Sequence, residues 1–162
     1  MTIIKTRLTE KEFINANMVL LYKKPMVRIF TALAVLFLLF ALFVLLTSPR
    51  QATISVLLAP MIIGGLTPVM TFIHAKRMYR VNARVKEQID YEFQNDLFVV
   101  KGESFSAQLT WDNIYKVTAT KKWLFIWQSS QAANPIPKKD VWEGEILKLK
   151  EILAVKNVKN NL

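Results

Sequence analysis

From Ile29 to Pro49 the chain runs 21 residues without a charge, and 14 of the 18 residues from Ile29 to Leu46 are Leu, Ile, Phe or Val. As a helix such a run is roughly 30 Å long, the thickness of a bilayer's hydrocarbon core. On an insertion scale of about −0.3 to −0.6 kcal/mol per side chain, those residues favour the bilayer by about 4 to 8 kcal/mol. A buried helix of a water-soluble domain rarely needs so many unbroken apolar positions. The stretch is therefore expected to be a transmembrane helix, and it dictates how the rest of the chain is read.

A second apolar run, from Ala52 to Ile73, carries ten Leu, Ile, Val or Phe between Thr53 and Ile73. Pro60 and Pro68 interrupt it, each removing a backbone donor and freeing the carbonyls of Val56 and Gly64. In lipid those carbonyls need partners, so this span depends on packing. Its small residues Ser55, Ala59, Gly64 and Gly65 would let another helix approach closely, either the first span or a second copy of the chain. Only Ser48, Pro49, Arg50 and Gln51 separate the runs, which predicts an antiparallel hairpin with helices at about 28–48 and 52–74. Six Lys or Arg precede the first run (Lys5, Arg7, Lys11, Lys23, Lys24, Arg28) and five follow the second (Lys76, Arg77, Arg80, Arg84, Lys86), against Arg50 alone in the turn. The positive-inside bias then puts both termini in the cytoplasm of a multi-pass plasma-membrane protein. Some 28 residues precede the first run and no A-x-A site follows it, so no cleavable signal is expected.

The net charge of +10 comes from basic residues that flank the apolar runs or scatter elsewhere, with no basic stripe interleaved with aromatics. Anionic lipid is the expected counterion, and nucleic acid is not. There are no cysteines, so neither disulfides nor thiolate chemistry is available.

Outside the hairpin, residues 1–27 read as a short strand, Thr2 to Leu8, and an amphipathic interfacial helix. Thr9-Glu10-Lys11-Glu12 has the spacing of a capping box, and Ile14, Met18 and Leu21 form a stripe. Residues 76–88 keep helical spacing, with Lys76, Arg80 and Arg84 at i, i+4 and i+8, and predict a basic juxtamembrane helix. From residue 89 the period changes to two. Strands are expected at Ile89–Phe93, Leu97–Lys101, Ser104–Trp111, Lys116–Thr120, Trp123–Gln128 and Gln131–Ile136, then a helix from Asp140 to Val155. Trp123–Gln128 is apolar on both faces and should be central. Trp111, Trp123, Phe125, Trp127 and Trp142 are expected in the core, and Ile3, Ile4 and Leu8 are expected to help complete the sheet.

Tyr91-Glu92-Phe93, the W-x-x-I-x-K-V pattern of Trp111, Ile114, Lys116 and Val117, the I-P-K-K run from Ile136 to Lys139, and the opening L-T-E-K-E-F give this chain a form that resembles the YcxB-like family over nearly its whole length. The resemblance implies a bacterial inner-membrane protein whose residues 89–162 form a cytosolic, antiparallel PH-like half-barrel. It implies no reaction and no cofactor. The expected fold class is thus an α+β membrane protein, a transmembrane hairpin plus a small β domain capped by a C-terminal helix.

Residues for catalysis are sparse. There is one histidine, His74, at the end of the second span, and no nucleophile, phosphate-loop or zinc motif. Glu143 and Glu145 suit a helix N-terminus. The chain is expected not to be an enzyme and to hold no metal. The candidate binding residues, for a lipid headgroup or a protein partner, are Lys76, Arg77, Arg80 and Arg84, together with Lys121, Lys122, Lys138 and Lys139 if those pairs share one rim. Two functions fit this frame. One is a membrane-anchored module that binds a lipid or protein partner; the other is an immunity-type protein guarding the membrane against a toxin.

Overall fold

The computed structural model describes residues 2–47 and 54–162, and the chain divides into two compact units, Met1–Glu12 with Val81–Leu162, and Phe13–Arg80. The turn at 48–51 falls outside the described residues, as do the side chains of Ser55 and Ala59.

The first unit is α+β. Strand β1 (Thr2–Thr6) pairs antiparallel with β2 (Ile89–Phe93), which continues through β3 (Leu97–Lys101) to β4 (Ser106–Thr110). A second antiparallel sheet follows in the order β5 (Lys116–Ala119), β6 (Trp123–Trp127), β7 (Ala133–Pro137). The N-terminal strand thus occupies an edge of the first sheet. Its strict alternation buries Thr2, Ile4 and Thr6 and leaves Ile3 and Lys5 outward. Ile4 and Leu8 are buried, whereas Ile3 is 41% exposed and contributes to the ladder rather than to the core.

Between the sheets lies the main core, with Ile4, Tyr91, Phe93, Phe98, Trp111, Val117, Leu124, Ile126 and Ile136 among its members. Phe98 stacks with Tyr91 and Phe93, at ring-centroid distances of 6.1 and 5.4 Å, and Trp111 closes the array while donating to the Gln94 carbonyl at 3.0 Å. All five residues of β6 are buried: Leu124 and Ile126 join the main core, and Trp123, Phe125 and Trp127 stack on the other face. This follows from its apolar character on both faces and its central place in the sheet.

A final helix, here α4 (Glu143–Val155), covers the core with Leu149 and Leu153. It begins three residues later than its stripe predicts, because Lys138–Asp140 forms a separate 3-10 turn. Trp142 corrects the expected core: it lies between that turn and α4 and is 80% exposed. Its backbone N–H donates to the Glu145 carboxylate at 2.9 Å, so its position serves the helix start while its ring stays outside the core.

The second unit is helical. Helix α1 (Glu10–Lys23) opens on the expected capping box: Thr9 N–H and hydroxyl donate to Glu12 Oε2, both at 2.9 Å, and Glu12 N–H donates to Thr9 Oγ1 at 3.3 Å. Pro25 begins α2 (Pro25–Thr47), where its missing N–H costs nothing. Helix α3 (Ile54–Val81) runs unbroken through both prolines and on through Lys76, Arg77 and Arg80. The basic stretch 76–88 is therefore not a helix of its own. Asn82 takes an extended conformation, and its side chain accepts from Arg84 N–H at 3.1 Å, capping a 3-10 segment at Ala83–Lys86. A side chain that bonds its own neighbouring backbone competes with helix continuation, and here it ends α3.

Helices α2 and α3 pack where Gly64 meets Ala34; a Cβ on Gly64 would lie 2.7 Å from that of Ala34. Among the described residues, α2 is the one helix long and apolar enough to cross a membrane, with a mean hydropathy of 3.1 and only 11% of its apolar window buried.

Candidate functional site

The eight basic candidates are divided between the two units, Lys76, Arg77 and Arg80 in the helical one and the other five in the α+β one. Lys76, Arg77 and Arg80 belong to the last two turns of α3, with Arg77 and Arg80 exposed and Lys76 half-buried. The end of α3 removes Arg84 from that helical face: its guanidinium carbon sits 5.8 Å from the Phe105 ring centroid, a cation–π contact on the β domain. Nearby, Glu87 accepts from Ser104 N–H at 2.9 Å and from its hydroxyl at 2.6 Å, and those bonds hold its carboxyl below the usual carboxylate range. Arg7 Nε donates to the Lys86 carbonyl at 2.9 Å. The segment after α3 is thereby strapped to the β domain by three local contacts.

The other two pairs do share a rim. Lys121 and Lys122 occupy the β5–β6 turn, Lys138 and Lys139 the 3-10 turn after β7, and Lys138 N–H donates to the Lys122 carbonyl at 2.9 Å. Two features keep this rim from being a simple anion site. Lys139 is committed to Glu12 at 2.5 Å, which raises its ammonium above the ordinary lysine range and, with the Thr9 bonds, lowers the Glu12 carboxyl. Asp140, Glu143 and Glu145 follow within a few residues, Asp140 accepting from the Thr6 hydroxyl at 2.5 Å. The rim is mixed in sign, and its best-defined role is structural, holding Thr6 and Glu12 of the N-terminal segment within the same α+β unit.

Charge is far less balanced in the helical unit. Residues Phe13–Arg80 contain seven Lys or Arg and not one Asp or Glu. This unit also contains a groove of about 470 Å³ between α1 and α3, lined by Phe13 and Asn17 on one side and by a face of α3 from Leu66 to Met78 on the other. His74 sits on that face, at the groove, and among the described residues no cluster of His, Asp or Glu suited to a metal accompanies it. The pattern of α3 holds one signal for this groove, the i, i+4, i+8, i+12 spacing of Leu66, Met70, His74 and Met78. The partner wall on α1 is a matter of tertiary packing and leaves no such mark.

Compared with known proteins, residues 93–153 match the family model described as YcxB-like protein. The match takes in the W-x-x-I-x-K-V and I-P-K-K motifs and most of α4, and leaves out the N-terminal strand and the helical unit, a narrower span than the motifs alone suggest. No curated protein matches the chain, and no solved structure does.

Proposed function

We propose that this chain is a non-enzymatic, membrane-anchored interaction module: α2 and α3 cross a bacterial plasma membrane as a hairpin, both termini are cytoplasmic, and the α+β domain binds a lipid or protein partner at the membrane surface. The observation that carries this reading is the surface of α2. Six consecutive residues, Val35 to Phe40, are each at least 48% exposed, so apolar side chains face outward over most of the helix, with Ala34 and Ala41 marking the narrow buried strip. Water-soluble monomers rarely expose contiguous apolar patches beyond a few hundred Å². A bilayer covers such a surface at no cost in desolvation.

Three further features support it. Thr31, Thr47 and Thr71 return their hydroxyls to the carbonyls of Val27, Phe43 and Thr67 at 2.7, 2.9 and 2.9 Å, which satisfies them without water. Ala34 lies thirteen residues before the end of α2 and Gly64 ten after the start of α3, so their close approach is the pairing of an antiparallel hairpin. The exclusively basic charge of the helical unit suits anionic headgroups on the side from which the chain enters. For the β domain, a four-stranded and a three-stranded antiparallel sheet closed by a C-terminal helix have the layout of a PH-like half-barrel, a form suited to presenting loops and edges to a partner.

Topology reporters test the membrane part. A reporter active only outside the cytoplasm should be silent at Leu162 and active at Gln51, and the protein should stay in the membrane after alkaline extraction. Activity at Leu162, or release by alkali, would overturn it. Photocrosslinking from the β domain in native membranes then tests the binding role, which requires a discrete lipid or protein adduct.

A further inference from the structure

We propose that the groove between α1 and α3 binds one anionic phospholipid, with its phosphate at Arg77 and His74 and an acyl chain along Met70 and Leu66. The proposal rests on the bilayer reading above and deepens it, replacing a general attraction to charged lipid with a defined site.

The groove is graded in polarity along α3. Leu66 and Met70, 57% and 47% exposed, lie on the part of the helix that continues the apolar run, and His74 lies one turn further on. Arg77 is exposed and does not itself line the groove, but it follows Met70 by seven residues, two helical turns, and so stands beside the groove's polar end, where its long side chain can reach a headgroup. An amphiphile laid along this face would meet hydrocarbon at one end and a guanidinium with an imidazole at the other. On the α1 side the ring of Phe13, 5.9 Å from that of Tyr79, closes the polar end.

Charge selects the headgroup. Residues Phe13–Arg80 carry seven Lys or Arg and no Asp or Glu, so the helical unit itself favours an anionic headgroup over a cationic one. Arginine presents a fork of donors that matches phosphate oxygens. Size selects the rest of the ligand. A helix about 10 Å across would fill 470 Å³ with about four residues, too few to dock a partner segment. A slim hydrocarbon chain is better suited, and the flexible thioether of Met70 adapts to chains that vary in length and unsaturation.

The test uses the full chain in nanodiscs of equal parts phosphatidylglycerol and phosphatidylcholine, followed by gentle release and native mass spectrometry. Wild type is expected to retain one phosphatidylglycerol per chain in preference to phosphatidylcholine. Arg77→Gln should lower that preference about tenfold, the loss of one charge-assisted contact. Met70→Trp should fill the groove and abolish retention of either lipid. Lys76→Gln, off the groove face, should leave retention unchanged. Equal retention of the two lipids by wild type, or unaltered retention in both Arg77→Gln and Met70→Trp, would overturn the site while leaving the inserted hairpin intact. A chain that does not incorporate into the nanodiscs at all would overturn the bilayer reading and this site with it.

Discussion

Two tryptophans of the β domain separate composition from position. Trp111 is 2% exposed, stacked near Phe93 and Phe98, and bonded through its indole N–H to the Gln94 carbonyl. Trp111→Ala should cost about 3–5 kcal/mol, from lost burial and the cavity left behind. Trp142→Ala should stay within about 0.5 kcal/mol, because that ring is outside the core. Thermal unfolding of the two variants checks this, and equal losses would contradict the placement of Trp142. The Glu12–Lys139 pair makes a pH-dependent prediction. Lys139, through its hydrogen bond, holds the Glu12 carboxyl below its ordinary range, and Thr9 adds to the effect. The pair's contribution is therefore complete above the ordinary glutamate value of about 4.3 and fades as pH falls through the lower folded value. Lys139, raised by the same contact, loses its share only as pH climbs past the ordinary lysine value of about 10.4. The Tm gap between wild type and Lys139→Met should be flat between those limits and narrow below about pH 4. A gap independent of pH in acid would show that the contact acts through packing instead of charge.

At the scale of elements, the signals that can be read in the chain are those carried by local chemistry. The Thr9–Glu12 box starts α1 because both partners are three residues apart on one turn. Period-two alternation places β4, and the two-faced apolar run places β6 at the centre of its sheet. What cannot be read depends on one polar side chain or on a neighbour distant in sequence. Continued helical spacing through Arg84 suggests a longer basic helix, yet a single carboxamide, that of Asn82, ends α3 directly after Val81. Gly64 and Gly65 are alike as small residues, but the packing distinguishes them: a Cβ at Gly64 meets Ala34, and one at Gly65 meets nothing within 4 Å. Gly64→Leu should push α2 from α3 and destabilise the helical unit by about 1–3 kcal/mol. Gly65→Ala should be neutral or stabilise α3 by roughly 0.5–1 kcal/mol. Unfolding of the full chain by denaturing detergent, followed by circular dichroism, should rank them in that order; the reverse order would place the helix contact on the other glycine.

For the whole molecule, the helical unit is an insertion between two adjacent strands of one sheet. β1 and β2 are hydrogen-bonded neighbours, Thr6 opposite Ile89, yet residues 13–80 separate them in the chain. The segments flanking the insertion are close together, since Arg7 bonds to the Lys86 carbonyl at 2.9 Å. Replacing residues 13–80 by a short Gly/Ser linker should therefore give a water-soluble domain with both sheets intact, because closing such a short loop costs little. Deleting residues 2–8 from that domain should be far more damaging. It strips the partner from β2 and removes Ile4 and Leu8, 1% and 6% exposed, side chains whose truncation alone costs about 2–5 kcal/mol each. At about 4–8 °C per kcal/mol for a domain of this size, the Tm should fall by roughly 10 °C or more, or the domain should aggregate along its newly exposed strand edge. Hydrogen exchange locates the effect: amides of β2 should lose protection first, with β6 retaining it longest. Equal Tm and equal β2 protection with and without residues 2–8 would mean that β1 merely rests on a sheet complete without it, and that the helical insertion interrupts nothing the domain needs in order to fold.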